Sequence, residues 1–115
     1  MHFRLQDMTW EDARALARPG TVVVMPLGAI EQHGPHLPLE VDSRLASEVA
    51  ARSVERAGER MDVILAPVVS FGASSHHLGF AGTMSVSLQT YIQLLVDLAE
   101  SIVAGGFRHI FFLNG

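Results

Sequence analysis

No cysteine occurs anywhere in the 115-residue chain. Disulfides and thiolate zinc sites are therefore excluded, and any metal ion has to be held by His, Asp and Glu. Long apolar runs are missing as well. The longest, Thr21 to Gly28 and Ile110 to Leu113, fall far short of a membrane span. The opening residues, MHFRLQDMTW, lack the regions of a secretory leader, so a cytoplasmic location is the expectation. Basic clusters are the third absence. Eight basic residues are scattered through a chain of net charge −4, and phosphate binding would need them grouped, so no nucleic-acid partner is expected.

What is present describes an ordinary folded domain. A hydrophobic fraction of 49% with 17% charged residues is globular rather than disordered, and the length suits one domain. Thr9 to Arg18 reads as a short helix capped by Thr9, with Glu11 and Asp12 in its first turn and Pro19-Gly20 ending it. Trp10 is expected to anchor this helix against the core. TVVVMPLGA follows as a continuous apolar run of the kind found in strands buried on both faces.

Asp42 to Ala57 reads as a helix that Asp42 or Ser43 could cap, with Leu45, Val49, Ala50, Ser53 and Val54 on one face and Gly58 at its end. VILAPVVSF repeats the buried-strand pattern, and FGASSHHLGFAGTMSVS is a loop rich in Gly and Ser. Ser87 to Ala104 makes a second strong helix with a stripe of Leu88, Ile92, Leu95, Val96, Ala99 and Val103, ended by Gly105-Gly106. HIFFLNG is the third buried strand. Apolar strands alternating with amphipathic helices predict an α/β fold, three-layer α/β/α around a mostly parallel sheet.

One segment stands out for its chemistry. Glu31 and His33 lie at i and i+2 just past the first strand, a spacing that turns both side chains to the same side in extended backbone. Asp42 follows nine residues after His33, where the next helix starts back along the sheet. Gly34, Pro35 and Pro38 stiffen the loop between them. Carboxylates and an imidazole converging at the carboxyl end of a buried strand suit a divalent cation. Taken singly, each has an ordinary role: Asp42 as a helix cap, Glu31 and His33 as satisfied polar groups, His36 as a partner for the loop backbone.

The segment PLGAIEQHGPHLPLEVD resembles the signature of the creatininase family of metal-dependent amidohydrolases. The resemblance continues through SSHHLGFAGTMSVS and into FFLNG, covering nearly everything from Thr9 onward. It implies that Glu31 binds one metal, His33 a second, and Asp42 bridges both, with two divalent ions, zinc or manganese or iron. Such a centre activates a shared water and polarises a scissile carbonyl. Ser74, Ser75 and His77 would contact substrate, expected to be a small amide such as a cyclic one. Formamide deformylation and peptidase action on the mycofactocin precursor are alternatives within the same family. The resemblance further implies a homo-oligomer, often a hexamer.

Two departures from the family pattern matter. His76-His77 stands where the family has Glu-His, and Ala81 replaces a proline. Both histidines, and Ser74 and Ser75, could instead be ordinary loop residues satisfying the local backbone. The family's His after Asn-Gly, its further ligands and its catalytic residues would lie beyond Gly115. Residues 1–115 are thus expected to be the N-terminal part of a single domain, incomplete at its C-terminal side, that alone binds metal weakly and turns over poorly. A non-catalytic metal-binding or oligomer-forming module is the rival from another class. A nucleotide-binding domain is disfavoured, because no Gly-rich loop follows the first strand. His109 is expected at the surface and His2 at a mobile terminus.

Overall fold

The computed structural model describes residues 3–115, so His2 lies outside the described residues. Three parallel strands, β1 (Val22–Leu27), β2 (Val63–Leu65) and β3 (His109–Asn114), form a sheet in the order β2-β1-β3. Val22 sits opposite Val63 on one side and His109 on the other. The helices are α1 (Trp10–Leu16), α2 (Val41–Ala57) and α3 (Leu88–Ala104). The α/β/α arrangement with parallel strands is as the sequence predicts.

The alternation of β1 divides the core. Val23, Met25 and Leu27 join Ile64, Ala66 and Phe107 on one face, where Leu16 of α1 and Leu95, Leu98 and Ile102 of α3 cover them. Val24 and Leu65 point the other way, against Ala50, Ala51 and Val54 of α2. A central strand buried on both faces is what the continuous β-branched run of β1 requires.

Several details differ from expectation. The face that α2 buries is Ser43, Ala46, Ala50, Ala51 and Val54, while Leu45 and Val49 are exposed. Small residues let the helix lie close to the sheet, and that proximity outweighs the larger apolar area of the neighbouring stripe. In α3 the packed residues are Leu95, Leu98 and Ile102, whereas Leu88, Ile92, Val96 and Val103 are exposed. This helix is apolar on more than one side, so periodicity alone does not choose the face. β2 is only three residues long, because Pro67 follows and cannot donate to a ladder.

β3 is an edge strand with Phe111 and Phe112 largely exposed, not a buried one. Trp10 is 70% exposed at the first position of α1, with the Arg14 guanidinium 5.4 Å from its ring centroid, instead of anchoring the helix. The cap of α1 is as read: Thr9 accepts from the Asp12 N–H in a capping box. His109 is exposed, as expected.

Candidate metal centre

Beyond β1 the chain turns at Gly28 and Ala29 and enters a loop that closes on itself, with the Glu31 N–H donating to Leu39 O at 3.1 Å. Gly34 supplies the left-handed turn, φ +73°, that this closure needs. The closed loop delivers the chain to the start of α2 beside the end of β1. There the Ser43 hydroxyl, buried, donates to Ala29 O at 2.9 Å and ties the first turn of α2 to the strand exit.

A Cβ on Gly28 would stand 2.5 Å from Ser43 Cα, so the close approach depends on glycine. Asp42 is not the cap of α2. Glu40 holds that position without a side-chain bond, and Asp42 in the first turn is left to face the loop.

Glu31, His33 and Asp42 consequently converge, with one ligand atom of each within 4.8 Å of the others. The imidazole of His33 has a determined orientation. Its Nδ1 lies 3.2 Å from Glu31 O, and a carbonyl can only accept, so Nδ1 carries a proton. In the neutral ring Nε2 then presents a lone pair, 3.6 Å from Asp42 Oδ1. Two electron-rich atoms facing each other at that distance call for a cation or a proton between them. A histidine whose second nitrogen donates to a backbone carbonyl is also how metal-ligating imidazoles are usually held.

The two carboxyl groups tell the same story. Burial raises the pKa of Glu31, but hydrogen bonds from Ser74 and Asp42 and the nearby His77 and His33 rings outweigh it and leave the value lowered. Burial, followed by the hydrogen bond with Glu31, raises that of Asp42. In the absence of a cation the pair is thus eased by a proton on Asp42. The donor set, two carboxylates and an imidazole with no cysteine, fits zinc or manganese.

Two bonds tie the second loop to the first: Met84 N–H donates to Ile30 O at 2.9 Å and Gln32 N–H to the Thr83 hydroxyl at 3.2 Å, while Ser74 N–H donates to the Ser85 hydroxyl at 2.7 Å and closes the second loop on itself. This brings His76 and His77, in a single 3₁₀ turn, to Glu31, so that Glu31, His76 and His77 form a second convergent group. Ser74 is buried at 3% exposure with its hydroxyl on Glu31. Ser75 is exposed and His36 stands outside both groups.

A cleft of about 290 Å³ opens over the site, bordered by Glu31, Asp42, Ser74 and His76 and by Tyr91 and Asn114. Gln32, Tyr91 and Asn114 escape sequence reasoning. Tyr91 is hidden in the pattern of α3, and its only signal is a polar tip in the first turn of an apolar helix.

A parallel α/β unit with carboxylates and imidazoles gathered at the carboxyl ends of its strands defines a candidate metal-binding site. Residues 6–115 match the family described as creatininase, creatinine amidohydrolase, and the chain belongs to that family. It is 44% identical over 96 residues to a mycofactocin precursor peptide peptidase of Mycolicibacterium smegmatis, covering 82% of this chain and 38% of that protein. It is 30% identical over 115 residues to a creatinine amidohydrolase of Pseudomonas putida, covering 95% of this chain and 43% of that one.

Among solved structures, a manganese form of creatininase superposes with a TM-score of 0.90 at 28% identity, covering 100% of this chain and 46% of that one. A mutant creatininase of Zn-Zn type does so at 0.88 and 28%, covering 99% and 45%. The chain therefore spans less than half the length of the relatives it matches. No helix among the described residues is long and apolar enough to cross a membrane.

Proposed function

We propose that residues 1–115 are the N-terminal, metal-holding part of a single creatininase-type domain that hydrolyses an amide carbon–nitrogen bond. The observation that carries this reading is the convergence of Glu31, His33 and Asp42 with a lone pair and two carboxylates turned inward. Glu31, His33 and Asp42 would hold the zinc or manganese ions, Glu31 one and His33 the other, with Asp42 as the ligand they share. When bound, the ions supply Lewis-acid polarisation of a carbonyl and a water acidic enough to attack near neutral pH.

The chain's own residues prepare the site. Ser74 donates to Glu31 and fixes its carboxylate toward the cleft. Tyr91, whose pKa burial raises, remains a neutral hydroxyl that can donate to a substrate carbonyl or amide. His76 places an imidazole on the rim of the same cleft.

Between a small cyclic amide and a peptide amide, the second is favoured. Identity to the peptidase of M. smegmatis is 44%, against 30% to the creatinine amidohydrolase. Metal analysis of the purified protein beside Asp42→Ala and His33→Ala tests the centre. The wild type retains zinc or manganese and both variants lose most of it, whereas equal content in all three overturns the assignment. Incubation with short peptides and with creatinine, followed by mass spectrometry, tests the substrate class. Cleavage of creatinine alone would reject the peptide reading.

A further inference from the structure

The two histidines beside Glu31 are held in opposite tautomers, and the difference divides their roles. Gly34 N–H points at Gln32 Oε1, 2.9 Å away, and a backbone N–H can only donate, so the atom facing it is the amide oxygen. The NH₂ of Gln32 therefore faces His77 Nδ1, at 2.9 Å, and donates to it. His77 Nδ1 is then without a proton, and in the neutral ring the proton sits on Nε2. That nitrogen lies 3.8 Å from Glu31 Oε2.

Closing this contact to a hydrogen bond near ~3.0 Å takes a shift of under about 1 Å, of the kind that follows ordering of a site. His33 is the reverse, protonated on Nδ1 by its bond to Glu31 O and bare on Nε2. The remaining links hold Gln32 itself, through its backbone N–H to Thr83 Oγ1 at 3.2 Å. Gly34 thus donates to Gln32 and Gln32 to His77, whose Nε2 stands 3.8 Å from Glu31 Oε2.

We propose that His77 is a positioning residue for the metal centre: Gln32 fixes it as an Nε2–H donor, and it orients the Glu31 carboxylate without binding the ion itself. Glu31, His76 and His77 bring ligand atoms within 4.8 Å of one another, so a second set of metal ligands is the competing arrangement. The contacts weigh against it, because Gln32 occupies the lone pair of Nδ1 and leaves the proton on Nε2, the nitrogen nearest Glu31. Burial supports the positioning role, since the side chains of His77 and Glu31 are only 23% and 16% exposed and little water competes for the contact. This rests on the metal centre proposed above.

The test separates the two ideas. In ¹⁵N-histidine-labelled, metal-free protein at neutral pH, two-bond ¹H–¹⁵N correlations are expected to show His77 protonated on Nε2 and His33 protonated on Nδ1. Zinc is expected to shift His33 Nε2 and leave the His77 proton in place. Loss of that proton or a coordination shift at His77 would overturn the proposal, whereas absence of zinc binding would overturn the centre and leave the tautomer result standing.

Zinc affinity gives a second measure. His77→Gln keeps an N–H where Nε2 lies and is expected to stay within about 3-fold of wild type, while His77→Leu loses roughly 10- to 100-fold. Equal losses in both variants, or none in either, would reject a donor role. Should His77→Leu fail to fold, the tautomer spectrum and the Gln variant still decide the matter.

Discussion

Asp42 and Glu31 carry opposite pKa displacements, and each has its own consequence for stability. Asp42 is raised above its ordinary 3.8, first by burial and then by Glu31, so the fold favours its protonated form. That contribution is present below the unfolded value and lost as pH rises through the folded one. Glu31 is lowered below 4.5, with hydrogen bonds from Ser74 and Asp42 outweighing the burial that would raise it, so its contribution is present above the unfolded value and lost as pH falls through the folded one.

An ionised Asp42 is therefore held at a cost in the metal-free protein. Asp42→Asn is expected to raise the metal-free melting temperature by a few degrees, on the order of 2–5 °C, and to abolish the further rise that zinc produces in the wild type. A zinc-induced rise that survives the substitution would contradict the role given to Asp42. Zinc affinity in the wild type is expected to climb with pH across the range where Asp42 surrenders its proton, with proton release measurable in an unbuffered titration.

Among the elements, α2 does most to assemble the site, and it does so by lying close. Its sheet-facing residues Ser43, Ala46, Ala50 and Ala51 are small, and Gly28 admits Ser43 at the strand exit. Gly28→Ala is expected to push the first turn of α2 outward, costing about 1–3 kcal/mol in a urea titration and weakening metal binding by moving Asp42 from Glu31. A stability change without a metal effect would show that the first turn adapts around the methyl group. The same closeness explains a misreading of the sequence. Leu45 and Val49 look like the core face because they are large, yet small residues win where backbone proximity is what the fold needs.

At the scale of the whole chain, apolar surface remains exposed on the edge strand and on α3. Phe111 is 57% and Phe112 40% exposed on the edge strand β3, and α3 adds exposed Ile92, Val96 and Val103. An exposed apolar edge strand invites pairing with another chain. The chain in isolation is expected to self-associate as concentration rises, seen by sedimentation velocity, and Phe111→Lys is expected to suppress this while leaving zinc binding unchanged. Purely monomeric behaviour across the micromolar range would show that these side chains are covered in another way.

The sequence alone determined the alternation of strands and helices, because β-branched runs and 3.6-residue periodicity are local properties of the chain. It also marked Glu31, His33 and Asp42, whose spacing and neighbouring prolines are visible in one short segment. Tertiary structure decided which helix faces are buried, since α3 is apolar on several sides and only the position of the sheet chooses among them. It also decided that Asp42 faces a cleft instead of capping a helix, that Gln32 meets His77, which the family resemblance had already marked, and that Tyr91 borders the same cleft. Those residues lie on three separate segments, and a hydrogen bond between positions 45 apart in sequence leaves no periodic trace in either one.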